Sequence, residues 1–172
     1  MIAPGRESAL SRSQLIRLTQ RRGSRIMAKR FTLSQAQSLI AKVSPLLQSA
    51  IELKFQYSKA ERAFQEFSQR IMVTGGLLVD RERPLELRQR RDTAGKKLRE
   101  TINEVQEFGC VIKDLDIGLL DFPTLFRGRE VYLCWKLGEP SISYWHGVDE
   151  GFAGRKEIDQ DFREHHGGDR PQ

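Results

Sequence analysis

The chain has 172 residues, of which 38% are apolar and 30% charged, a balance that suits one compact domain with an elongated helical piece. No run approaches the roughly 18 apolar residues that a membrane-spanning helix needs, so a soluble protein is expected. The net charge of +6 does not mark a nucleic-acid binder, because residues 1–26 hold six arginines against one acid and supply +5 of it.

That basic leader is rich in Arg and Ser, the composition of an organelle transit peptide. The plainer reading is a start assigned too early, with Met27 opening the chain, or a disordered extension. Residues 1–28 are therefore set apart from the fold. Thr32 then offers an N-cap, with Gln35 completing a capping box. A seven-residue repeat follows: Ala36, Val43, Ala50, Tyr57, Phe64 and Ile71 form one row, and Leu39, Leu46, Leu53, Ala60 and Phe67 sit three residues after its first five members. This a/d pattern predicts a long helix with a coiled-coil-like seam. Pro45 lies inside it and predicts a kink.

Gly75-Gly76 ends the pattern, and the linker after it is expected to fold back on the helices. A second helix is predicted from about Pro84 to Phe108, with Leu87, Ala94, Leu98, Ile102 and Val105 on its apolar face. Gly109 is placed to cap its C-terminus. The two helices form a hairpin over 29–109, and their unequal lengths leave part of the first for the β unit or for a second copy.

From Val111 the period changes to two. The segment near Val111 adds a candidate first strand, Phe122-Pro123 breaks the following run, and Arg127-Gly128 is a tight hairpin turn. Glu130–Leu137 is the strongest strand, Gly138-Glu139-Pro140 turns the chain, and Ile142–His146 closes a three-stranded antiparallel meander. The fold class is α+β: a long helical hairpin packed on a small antiparallel β unit over 110–158. Residues 159–172 read as a disordered tail.

Cys110 and Cys134 lie in apolar stretches with no Cys-x-x-Cys partner, so zinc ribbons fail and buried free thiols in a reducing cytoplasm are expected. Polar groups gather in the second half. Asp114, Asp116 and Asp121 line the entry to the sheet, Arg129 flanks the hairpin turn, and Glu139, His146, Asp149 and Arg155 follow. They are the candidate ligand-binding residues. His146 could act as a general base oriented by Glu139 or Asp149, or hold a divalent metal with acidic partners. The plainer reading is that His146 caps a strand and that Asp and Arg pairs tie turns together. No metalloprotease, phosphate-loop, dinucleotide or nucleophile-elbow motif is present, so neither a cofactor nor a metal is named. Trp135, Tyr132, Tyr144 and Trp145 alternate with Leu, Val and Ile, which favours core packing over base stacking.

With these residues in view, the chain resembles the bacterial family known as domain of unknown function 2203 over roughly residues 30–158. The resemblance rests on Phe-Thr-Leu-x-x-Ala from Phe31, Gly-Gly-Leu-Leu-Val-Asp from Gly75, and the string from Gly109 to Pro123. Gly-Arg-Glu-Val-Tyr-Leu-Cys-Trp from Gly128, Gly-Glu-Pro from Gly138, Trp145-His146 and Gly-Phe-Ala-Gly-Arg from Gly151 complete it. It implies the architecture above and a start near Met27, and it implies no particular activity. Two functions follow as expectations. The first is a non-catalytic interaction or ligand-binding protein, a homodimer through the heptad seam, with a protein partner possible and neither membrane nor nucleic acid expected. The second is a metal- or ligand-dependent hydrolase with a polar site near His146.

Overall fold

The structure, a computed structural model, describes residues 29–74 and 82–168. The leader and the Gly-Gly-Leu-Leu-Val-Asp linker lie outside the described residues. Two helices precede the sheet, α1 (Leu33–Thr74) and α2 (Glu82–Glu107). Strands β1 (Val111–Asp114), β2 (Leu119–Phe126), β3 (Arg129–Lys136), β4 (Tyr144–Gly147) and β5 (Lys156–Glu157) follow in an antiparallel meander. A short helix α3 (Gln160–His165) leads to β6 (His166–Gly167), which pairs with β2. The fold is α+β, as the change of sequence period predicts.

The chain divides into two compact units within its helices rather than at Gly109. A helical unit holds the described residues 52–74 and 82–100, and a mixed unit holds 29–51 with 101–168. In the helical unit, Tyr57 lies against Gly95, where a Cβ would sit 3.1 Å from the ring. That close approach explains a glycine in the middle of a helix, where it otherwise costs about 1 kcal/mol relative to Ala. The Arg91 guanidinium stacks over Phe64, 5.0 Å from the ring centroid, and reaches Glu61.

In the mixed unit, α1 starts on the predicted capping box: the Thr32 N–H donates to Gln35 Oε1 at 2.8 Å, and the Gln35 N–H donates to Thr32 Oγ1 at 3.2 Å. The core gathers Phe31, Ala36, Val43 and Leu47 with Ile102, Val105, Leu120, Phe122 and Leu133, all buried. Phe31 meets Phe122 edge to face at 5.6 Å.

The helix runs unbroken through Pro45. Pro45 and Ala41 are both exposed, so water can serve the carbonyl that the missing N–H leaves open. The heptad rows also diverge. Ala36, Val43 and Ala50 of the first row are buried, with Leu47 and Lys54 beside them, whereas Leu39, Leu46, Leu53, Ala60 and Phe67 are all only half-buried. The inner stripe therefore follows the 3.6-residue period of a helix facing its own chain.

Pro123 does not break its strand: β2 runs through it to Phe126. The two-residue turn at Arg127 (φ 50°) and Gly128 (φ 76°) sets the register. Counting back from the Phe126–Arg129 pair, Pro123 falls at a non-hydrogen-bonded position opposite Tyr132. Its missing N–H is not needed there, and its carbonyl accepts the Phe31 N–H at 2.7 Å.

The expected disordered tail is instead ordered to residue 168. Asp159 caps α3 by accepting the Phe162 N–H at 2.8 Å. Phe162 is fully buried and stacks on Phe126, Trp145 and His166. His166 Nε2 in turn accepts the Leu33 N–H at the start of α1. One aromatic anchor and one histidine thus tie down a segment whose composition reads as polar. Among the described residues, no helix is long and apolar enough to cross a membrane.

Candidate functional site

Asp121 stands opposite Cys134 on β2 and β3, and Tyr132 stands opposite His146 on β3 and β4. Register partners, and residues two apart on a strand, share a face. All four side chains therefore lie on one side of the sheet, with Leu120, Phe122, Leu133 and Trp135 on the other. Asp121 and Cys134 form a non-hydrogen-bonded pair, the kind that brings side chains closest.

Asp121, Cys134 and His146 are fully buried. His146 Nε2 lies 3.0 Å from Asp121 Oδ2, and Nδ1 lies 2.7 Å from the Gly147 carbonyl oxygen. The Gly147 carbonyl can only accept, so Nδ1 donates to it and Nε2 is the nitrogen that faces Asp121. The hydrogen bond to Asp121 raises the His146 pKa above its ordinary value against the opposing effect of burial, helped by the Gly147 carbonyl and the Asp121 charge. A β-bulge between Ile112 and Asp114 leaves Lys113 as an extra residue on β1. Its ammonium lies 3.7 Å from Asp121 Oδ2 and 4.7 Å from the Tyr132 ring centroid.

Asp121 Oδ1 has no hydrogen-bond partner although it is buried, a deficit of about 1–3 kcal/mol for such a group. The Cys134 thiol is pushed up to about 12, first by burial and then by the Asp121 charge, with Arg155 opposing. A thiol in that state is a poor nucleophile. Cys110 is also free and buried, and burial pushes its thiol up to about 12.

Glu139 and Arg155 form a second pair. The guanidinium donates to both carboxylate oxygens at 2.8 and 2.7 Å, and its Nη2 also reaches the Cys134 carbonyl at 3.3 Å. Tyr144 and Phe152 hold its plane, at 4.2 and 5.0 Å from their ring centroids. The Lys136 N–H donates to Glu139 Oε2 at 2.8 Å.

The predicted residues thus separate into groups. Asp121 and His146 touch each other, and Glu139 and Arg155 touch each other and adjoin Cys134. Asp114 accepts the Asp116 N–H at the β1 turn, and Asp116, Arg129 and Asp149 are exposed. Glu139 does not orient His146; Asp121 does. Sequence reasoning missed Lys113, Tyr132 and Cys134 as neighbours of the pair. Counting register back from the Arg127-Gly128 turn would have placed Cys134 opposite Asp121, whereas nothing in the sequence announces the bulge at Lys113.

The arrangement can hold charge, and with Asp121, Cys134 and His146 it offers oxygen, sulfur and nitrogen donors in one place. It presents no exposed nucleophile beside a base. A search of curated proteins and one of solved structures each found no match. The chain belongs to the family described as "Uncharacterized conserved protein (DUF2203)", which matches residues 29–158.

Proposed function

We propose that this is a non-catalytic interaction protein that acts as a homodimer through the second heptad row of α1. The observation that carries the reading is the half-buried state of Leu39, Leu46, Leu53, Ala60 and Phe67. The start of the first row, Ala36, Val43 and Ala50, is buried inside the chain, Tyr57, Phe64 and Ile71 are half-buried, and the second row remains as an apolar row with a seven-residue period. Such a row is complementary to a copy of itself across a two-fold axis. In the helical unit it borders a groove of about 610 Å³ lined by Ala60, Ala63, Leu87 and Ala94 with Lys59 and Lys97 at its rim. Two hairpins joined there would make a four-helix arrangement, which buries stripes that one hairpin leaves open.

A hydrolase reading has less support. Its proposed base, His146, is paired with Asp121 and closed to solvent, and Glu139, expected to orient it, is paired with Arg155. The free, buried cysteines suit a reducing cytoplasm. Light scattering on the full chain at micromolar concentration tests the assignment. A mass of two chains is expected, and a single-chain mass would contradict it.

A further inference from the structure

Asp121, Cys134 and His146 each offer one ligating atom, and these atoms all lie within 4.8 Å of one another. We propose that they bind one divalent cation of the zinc class through a carboxylate oxygen, a thiolate and an imidazole nitrogen.

The donor set selects the metal. Sulfur and imidazole suit zinc and its neighbours, whereas calcium and magnesium need an oxygen-rich shell. The second coordination layer is in place. His146 Nδ1–H donates to the Gly147 carbonyl at 2.7 Å, which fixes the ring and turns Nε2 toward the other two donors. A second observation is that Asp121 is fully buried with an Oδ1 that lacks a geometrically sound hydrogen bond, the Cys134 thiol being the group beside the carboxylate. A buried carboxylate oxygen with so little hydrogen bonding has capacity for a cation, and the thiol beside it is itself one of the proposed donors. The three donors also sit on adjacent strands, a stiff support for a fixed coordination geometry.

Zinc bond lengths place tetrahedral donors about 3.3–3.6 Å apart. His146 Nε2 and Asp121 Oδ2 are already 3.0 Å apart, and the other separations, all within 4.8 Å, must shorten on loading. The ligating thiol gives up its proton to solvent when the cation enters, so loading releases protons. The Lys113 ammonium, whose side chain is 34% exposed, turns outward to water. The burial of all three donors suits an ion that ties β2, β3 and β4 together.

The test uses full-length protein stripped with a chelator, dialysed, and titrated with zinc against a chromophoric competitor. Cobalt(II) loading is followed in parallel for the thiolate-to-metal absorption band. One equivalent per chain is expected, with the band present and the thermal midpoint raised by zinc. Cys134→Ser should abolish the band and weaken zinc by at least about 100-fold, beyond the effect of removing an outer-layer partner. Lys113→Met keeps every donor and removes the competing cation, so it should bind zinc more tightly, by about ten-fold, through relief of charge repulsion. Failure of the folded wild type to take up an equivalent overturns the site. So does binding unchanged in both variants, which would put the ion elsewhere, as on His165 and His166. If Cys134→Ser does not fold, a wild-type cobalt complex without a thiolate band, or zinc affinity unchanged in Lys113→Met, overturns it.

Discussion

Asp121, itself fully buried, faces the His146 ring and the partly exposed Lys113 ammonium with a single carboxylate. Replacing it with asparagine keeps the shape and removes the charge. His146 would then lose the contact that most raises its pKa and keep only the Gly147 carbonyl in support. The expected destabilisation of chelator-treated protein is about 3 kcal/mol, the low end for breaking a buried pair, read from urea unfolding. A change below about 0.5 kcal/mol, the range of neutral surface substitutions, would mean that the pair contributes little. Glu139 behaves differently. Burial pushes its pKa up, but the Arg155 hydrogen bonds, the Lys136 N–H and the Arg155 charge outweigh that and hold it below its ordinary 4.5. A lowered folded-state pKa gives stability that is present above 4.5 and lost as pH falls through the folded value. Unfolding of wild type and Glu139→Gln should therefore differ at neutral pH and converge in acid; a difference independent of pH would contradict the pairing. At this scale the sequence was informative about which residue types gather near His146, and it misassigned their partners. Glu139 and Asp149 are close to His146 along the chain, but strand register, which depends on one turn and one bulge, chose Asp121.

The elements were legible wherever local chemistry decides them. The Thr32 and Gln35 box, the αL turn at Gly109 (φ 92°) and the Arg127-Gly128 hairpin each follow from a few neighbouring residues. What remained hidden depended on distant partners. Pro123 looks like a breaker until the hydrogen-bond phase of β2 and β3 is known. Residues 159–168 look like a tail until Phe162 is seen among Phe126, Trp145 and His166. Phe162→Ala should cost about 3–5 kcal/mol, as expected for removing a buried aromatic side chain, and should expose the segment after Ile158 to proteolysis. Wild-type stability and protease resistance in that variant would show that α3 and β6 only rest on the sheet.

For the whole molecule, the heptad pattern was plain in the sequence, but its meaning was divided. A row that faces the chain's own core and a row that faces another chain carry the same residue types, and only burial separates them. Ala36, Val43 and Ala50 belong to the first, whereas Leu39, Leu46, Leu53, Ala60 and Phe67 are half-open, as are Tyr57, Phe64 and Ile71 farther along the first row. This second row underlies the proposed dimer. The most direct measurement is sedimentation equilibrium of the full chain beside a Leu53→Glu, Phe67→Glu double variant, with circular dichroism as a check on folding. Wild type should sediment as a dimer, and the variant as a folded single chain, because charges facing each other across a two-fold seam repel. A wild-type single chain, or a variant that remains as dimeric as wild type, would contradict the account.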